Sequence, residues 1–295
     1  MMKPKLNMRA KHVLEGYFFI SPWLIGFTTL FLIPLITSLI FSFSKFTELT
    51  EWKTQWAGIV NYTRAFALDV KFIPMFIIVI KDTLINTPFI VSFSLFIAIL
   101  LNRDIKLRGF FRGLFFLPVL LGSGYVMQQL LGQNVNGQTI DLSRGIMAPE
   151  EIMTYLGANA TNLVQEFLTR ITLFLWKSGV QIVLFLAGLQ GISKSLYESA
   201  YCDSASEWDM FWKITLPIIS PVVLLNVVYT IIDSFSDSTN PVVDYIYQLA
   251  FKDFQFEYAA AISWIYFGFI FLLIILVFAL IKPYSTMDEK EKNRR

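Results

Sequence analysis

Charge is missing from this sequence in long blocks, and that restricts the fold more than any motif does. A run of about 20 mainly apolar residues crosses the hydrocarbon core of a bilayer as a helix, because a helix satisfies its own backbone there. Six such runs can be drawn, at 16–44, 83–102, 113–131, 171–189 (interrupted by Lys177), 214–232 and 258–281. Only 16% of the residues are charged, against roughly 25% in a soluble domain, and 55% are hydrophobic. The expected fold class is therefore an all-α membrane protein with six transmembrane helices. Residues 72–80 are also apolar but too short to cross, and read as an interfacial helix or as an extension of the second span. The first run follows Lys3, Lys5, Arg9 and Lys11, yet is too long for a signal-peptide core and lacks a small-residue cleavage site, so it reads as a signal anchor.

Lys and Arg sort the connections between the runs. Fifteen fall on the side of the two termini and eight on the other, with Lys177 inside a span. By the positive-inside rule both termini are cytoplasmic. The expected organisation is a cytoplasmic tail at 1–15, a six-span domain at 16–281 and a second cytoplasmic tail at 282–295. Within it, 132–170 forms an external loop and 190–217 a cytoplasmic one. Pro149, Glu150 and Glu151 favour the start of a short helix in the external loop.

The chemistry available is narrow. A net charge of +2 gives no single-sign field for nucleic acid, and one Cys with one His excludes an internal disulfide and a Cys/His zinc cluster. No G-x-x-x-x-G-K-[S/T] loop is present for nucleotide phosphates. His12 lies in the basic leader without a triad partner, and Cys202 reads as a small, half-buried residue. Asp233 and Asp237 are the one carboxylate pair open to aspartyl-type chemistry, but they share a helix and could not easily flank a scissile bond.

Two patterns remain. In the cytoplasmic loop, Ser195 with Glu198 and Ser204 with Glu207 have capping-box spacing. This predicts a short helix through Ala200, a turn at 202–204, and a second helix carrying Trp208, Phe211 and Trp212 that stops before Pro217. Such helices suit either a plug for another protein's groove or an aromatic layer at the membrane surface. In the fifth span, Asn226, Thr230, Asp233 and Asp237 form one helical stripe beside Tyr229 and Ser236. A charge at mid-bilayer costs about 2.5–3.5 kcal/mol on insertion scales, so Asp233 should face a cavity or a partner. Tyr125, Gln128, Gln181, Trp264 and Tyr266 could complete a polar, aromatic pathway for a hydroxyl-rich solute. The same residues could instead hydrogen-bond between helices.

The stretch Glu198-Ser199-Ala200-Tyr201-Cys202-Asp203-Ser204-Ala205, with Ile214-Thr215-Leu216-Pro217 after it, resembles the E-A-A-x-x-D-G-A…I-x-L-P loop of binding-protein-dependent ABC import permeases. Residues 20–27 (ISPWLIGF), 61–66 (NYTRAF), 108–118 (RGFFRGLFFLP) and 186–190 (LAGLQ) are similar to the carbohydrate branch, in its MalF-like member. The resemblance covers about 17–281. It implies a type I importer permease in which the loop is a coupling helix seated on an ATPase subunit, whose closure rocks two permeases between inward-open and outward-open states.

On that resemblance, Glu198, Ser199, Ala200, Asp203, Ser204, Ala205 and Phe211 belong to the coupling element, with Ile214, Leu216 and Pro217 anchoring its exit into the fifth span. Asn226, Tyr229, Thr230, Asp233, Tyr125, Gln128, Gln181 and Trp264 belong to the substrate pathway. No cofactor is expected in this chain; ATP and Mg would sit in the partner. The implied partners are a second permease, two ATP-binding subunits, an external solute-binding protein and the lipid bilayer, without nucleic acid, in a bacterial cytoplasmic membrane. Lys177, beside Trp176 and Gly179, reads as a buried charge paired with a carboxylate of another span. Ser204 stands where the family has Gly. A left-handed backbone there would cost roughly 1–2 kcal/mol, so Ser204 is expected to act as the N-cap of the second helix, recovering about 1 kcal/mol. The rival readings are an ion-gradient-driven secondary transporter and an intramembrane enzyme built on Asp233 and Asp237.

Overall fold

The computed structural model describes residues 8–48, 53–103, 109–110, 113, 174–175, 177–237 and 240–292. The third apolar run beyond Gly113, with Tyr125 and Gln128, and the external loop at 132–170 lie outside these residues. The described elements are helices α1 (Met8–Phe27) and α2 (Ile33–Ser42), strands β1 (Ser44–Glu48) and β2 (Lys53–Trp56), then α3 (Val60–Thr63) and α4 (Phe72–Asn102). Helices α5 (Gly179–Gln190), α6 (Lys194–Cys202), α7 (Glu207–Met210), α8 (Leu216–Ser236), α9 (Pro241–Tyr247) and α10 (Phe256–Lys292) follow. Among the described residues four helices are long and apolar enough to cross a membrane, at Glu15–Ser42, Phe72–Asn102, Glu207–Ser236 and Phe256–Leu280. Residues 72–80 thus extend the second span. α10 continues to Lys292, so its backbone carries the last span's helix through most of the expected tail.

Two prolines shape these spans. Pro34 and Pro217 each lack an N–H and would press on the carbonyl four residues back. Each is preceded by one wide turn, Thr28–Leu32 and Phe211–Thr215, closed by i→i−5 bonds from Ile33 to Thr28 and from Leu216 to Phe211. The extra residue per turn relieves the clash, and the helix runs on. The expectation that the second loop helix stops before Pro217 is therefore corrected: α7 and α8 form one apolar helix from Glu207 to Ser236.

The chain divides into two compact units. One comprises Met1–Ile77 with Pro241–Phe269, the other Ile78–Asn240 with Ile270–Arg295. In the first, β1 and β2 pair antiparallel, and the Asn61 amide donates to the carbonyls of Ser42 and Ser44 at 3.0 and 2.9 Å. This ties the NYTRAF segment to the end of α2. Asp69 then fastens that segment to α9 and α10. Its Oδ1 caps α4 by accepting from the Lys71 and Phe72 N–H groups, and its Oδ2 accepts from the hydroxyls of Tyr245, at 2.7 Å, and Tyr258. Arg64 lies 3.9 Å from the centre of the Tyr258 ring and donates to Gln255 Oε1 at 2.8 Å. Buried Ala65, Phe72, Val242, Leu249 and Tyr258 fill the space beneath.

In the second unit the core is Val91, Ala98 and Leu101 of α4 against Ile182, Phe185, Leu186 and Leu189 of α5, with Ile192 between α5 and α6 and Ile219 of α8. Helices α5 and α8 run antiparallel in one register. The Lys177 ammonium meets Asp237 at 2.6 Å, Gln181 donates to Thr230 at 3.1 Å, and Gly188 faces Val222. Thr83 of α4 also reaches Ser234 of α8, hydroxyl to hydroxyl at 3.1 Å. A Cβ on Gly188 would stand 2.9 Å from Val222 Cγ2, so the two helices approach at a distance that only glycine permits.

Two outcomes follow from this packing. Gly188→Leu should lower the stability of the purified chain by about 1–3 kcal/mol through overpacking, read as an earlier thermal transition in detergent, and Val222→Ala in the same chain should restore part of the loss. Asp69 gives a pH dependence. Burial raises its pKa, but the two tyrosine hydroxyls and two backbone N–H groups outweigh burial and hold it below the ordinary carboxylate value. The ionised group therefore stabilises the fold above the unfolded pKa near about 4, and that contribution is lost as pH falls through the depressed folded value. Asp69→Asn should accordingly be less stable than the parent at neutral pH, with the difference closing as the solution is acidified below about pH 4.

Candidate functional site

The segment between α5 and α8 is built from two local rules, chain reversal and capping. α5 ends at Gln190 and α6 leaves it at a bend of 65°. α6 then terminates by a Schellman arrangement. The Ala205 N–H returns to the Ala200 carbonyl and the Ser204 N–H to that of Tyr201, each at 3.0 Å. Such a turn needs one left-handed residue, and Ser204 takes it with φ 58°. The expectation that Ser204 caps the second helix is corrected: it closes the first. The cap of α7 is Ser206, whose Oγ accepts from the Asp209 N–H at 3.1 Å. Ser195 is corrected as well, because α6 begins at Lys194 with Ser193 in the cap position. Ser195 lies inside the first turn and shares a hydroxyl contact with Ser193 at 2.8 Å.

The family-motif residues are brought together around this reversal. Glu198, Ser199 and Asp203 are exposed, while Ala200 and Ala205 are half-buried at the two ends of the Schellman bond. Ser199 Oγ returns to the Ser195 carbonyl at 2.9 Å. Tyr197 holds α6 to the wide turn before Pro217, its hydroxyl 2.9 Å from Thr215 Oγ1. Phe211 and Leu216 are half-buried in and just after that turn. Trp208 packs edge-on against Trp212 at 5.5 Å, and Phe211 against Trp212 at 5.1 Å, yet both tryptophans are largely exposed. Arg103, at the end of α4, reaches Glu207 at 2.6 Å. Both side chains are solvent-exposed, so this pair orients α7 more than it stabilises it. The capping role of Ser206 was legible in principle, since Ser206-x-x-Asp209 has the same spacing as the two boxes chosen.

The polar stripe is placed as follows. Gln181, Asn226 and Thr230 are fully buried where α5 meets α8. Thr230 accepts from Gln181 and donates to the Asn226 carbonyl, and the Asn226 amide donates to the Val222 carbonyl. Among the described residues, Gln181 Oε1, Asn226 Oδ1 and Thr87 Oγ1 have no hydrogen-bond partner. These buried oxygens can each take a donor hydroxyl or amide. Asp233 is half-buried one turn from Asp237, within electrostatic reach of the Lys177–Asp237 pair. Tyr229 is half-buried beside it, and Trp264 is half-buried in the other compact unit. The described residues hold no cluster of His, Cys, Asp and Glu suited to a metal ion.

No family model matches the chain. It is 30% identical over 312 residues to the probable ABC transporter permease protein YesP of Bacillus subtilis, an alignment that covers 99% of this chain and 97% of that relative. The chain is an ABC transporter permease. This permease is also 28% identical over 293 residues to the arabinooligosaccharides transport system permease protein AraP of Bacillus subtilis, with 90% of this chain and 86% of the relative covered. Its fold matches a chain in the crystal structure of a bacterial alginate ABC transporter in complex with an alginate pentasaccharide-bound periplasmic protein. That match has a TM-score of 0.63, 18% identity and coverage of 94% and 97%. The permease is a multi-pass membrane protein and a transporter subunit, which sets aside the gradient-driven and enzymatic readings.

Ser204→Gly tests the corrected turn. Removing the Cβ from a left-handed, exposed position should stabilise the permease by about 1 kcal/mol, seen as a later thermal transition, whereas a capping serine would give a loss of similar size.

Proposed function

We propose that this permease is one half of the membrane pathway of an ATP-driven importer for a carbohydrate, delivered by an external solute-binding protein. Residues 190–217, within the six-span domain at 16–281, seat in a cleft of an ATP-binding subunit. ATP and Mg are held by two such subunits, and a second permease completes the pathway. Both termini face the cytoplasm of a bacterial cell. Closure of the ATP-binding pair pushes on Glu198, Ala200, Asp203 and Ala205, and α8 carries the displacement into the bilayer through Phe211, Leu216 and Pro217. Inside, Asn226, Tyr229, Thr230 and Asp233, with Gln181, Tyr125, Gln128 and Trp264, supply hydrogen-bonding and stacking groups to the solute.

The observation that supports this reading best is the exposed pair Trp208 and Trp212 in the first turns of the Glu207–Ser236 helix, which Tyr197 of α6 braces through the Thr215 hydroxyl. Large aromatics held rigidly in the open anchor protein interfaces. Gln181, Asn226 and Thr230 are buried where α5 meets α8, so the half-buried Tyr229 and Asp233 are the members of the stripe that support the pathway assignment. The carbohydrate assignment draws on the named solutes of AraP and of the alginate transporter.

Affinity purification of the permease from its native membrane tests the assembly. A second permease and an ATP-binding subunit should be recovered with it. Trp208→Ala combined with Trp212→Ala should reduce recovery of the ATP-binding subunit about tenfold or more, as loss of anchors worth roughly 2 kcal/mol would, while the second permease is retained. Equal recovery of the ATP-binding subunit by the double variant would refute the coupling role.

A further inference from the structure

In the first compact unit the usual distribution of polarity is reversed around the Asp69 cluster. Between the hairpin and α4, the polar side chains of Arg64 and Asp69 turn inward onto Gln255, Tyr245 and Tyr258. The side chains turned outward are Phe66, Leu68 and Val70, which are 60%, 75% and 86% exposed. The α9 segment does the same. Tyr245 points in to Asp69, while Tyr247 and Phe251 lie outside with ring centres 4.9 Å apart, at 55% and 62% exposure. Water around such a surface would carry a hydrophobic cost at each of these side chains, with the available polar groups hidden beneath.

We propose that the outward face of 64–71 and of 241–252 lies in the interfacial layer of the bilayer, with lipid as its occupant. The chain itself argues for this depth. Val70 is two residues from the start of the α4 span at Phe72, and Phe251 is five from the start of α10 at Phe256. The outward surface of those spans continues in the same character, through exposed Ile77 and Phe267. Lys71 and Lys252 end the two stretches and are exposed, where headgroups would meet them and their stems can lie along the acyl boundary, and exposed Asp244 accepts from Gln248 at 2.7 Å one turn from Tyr247. Tyrosine and phenylalanine side by side with such charges are the composition of an interfacial belt. The Asp69 cluster then has a definite task. It takes up two backbone N–H groups at the start of α4 and the hydroxyls of Tyr245 and Tyr258 internally, which keeps this polarity away from the hydrocarbon border.

The experiment uses the assembled transporter in nanodiscs of phosphatidylethanolamine and phosphatidylglycerol. A nitroxide is attached to a single cysteine replacing Leu68 or Phe251, in a Cys202→Ser background. Collisions with molecular oxygen, which partitions into lipid, should exceed those with the water-soluble nickel chelate Ni-EDDA several-fold at both sites. A surplus of nickel collisions would place the patch in water and overturn the proposal. Low rates with both reagents would place a protein on it, either the second permease or the external receptor, and would overturn it equally.

Discussion

The close antiparallel contact of α5 with α8 is the constraint that the second compact unit depends on. Apolar burial alone cannot hold two helices together among lipid tails, which are as apolar as leucine. What holds them is proximity and specific polar pairing. Gly188 admits Val222, Gln181 bonds Thr230, and Lys177 pairs with Asp237, so that one register satisfies all three. A slip by one helical turn would separate the ammonium from Asp237 and part Gln181 from Thr230. The loop at 190–217 hangs from the end of this pair. Its position is fixed by the same contacts, with Tyr197 to Thr215 as the last rung.

Much of this was readable from residue types, and the failures are informative. Apolar runs and the absence of charge located the first and sixth spans to within a few residues, because hydropathy has few competing explanations over twenty positions; the second and fifth were found but begun too late, since their helices start at Phe72 and Glu207. Lys177 was recognised as a charge needing a carboxylate, although Asp237 as its partner required the helix register. The errors cluster at capping. Three serines stand three residues before an acid, at 195, 204 and 206, and local spacing does not rank them. The ranking came from the preceding helix, whose end at Asp203 forces Ser204 to be left-handed and leaves Ser206 as the first extended residue before α7. Asn226 and Thr230 were singled out as solute-facing candidates. Their burial between α5 and α8 shows that this part of the stripe faces the neighbouring helix, with the Asn226 oxygen enclosed and without a hydrogen-bond partner. The Asp69 cluster was invisible because it joins residues nearly two hundred positions apart, and neither Tyr245 nor Tyr258 lies in a pattern that marks it as a donor.

The prolines bear most directly on how work could pass through the molecule. A helix broken at Pro217 would make the loop a loose appendage, and displacement of Trp208 would be absorbed at the break. The wide turn at Phe211–Thr215 removes the need for a break, so Glu207–Ser236 is one continuous rod. Wide turns are themselves soft points, because fewer backbone bonds are made per residue. This one is braced. Thr215 Oγ1 bonds back to the Met210 carbonyl at 3.3 Å and is held from the side by the Tyr197 hydroxyl, while Met210 and Thr215 are both buried. The turn therefore trades regularity for the fit of proline without becoming a hinge. On the proposed reading, a push at the exposed tryptophans enters α8 as translation of a stiff element, and the rigid contact with α5 passes it to both helices together.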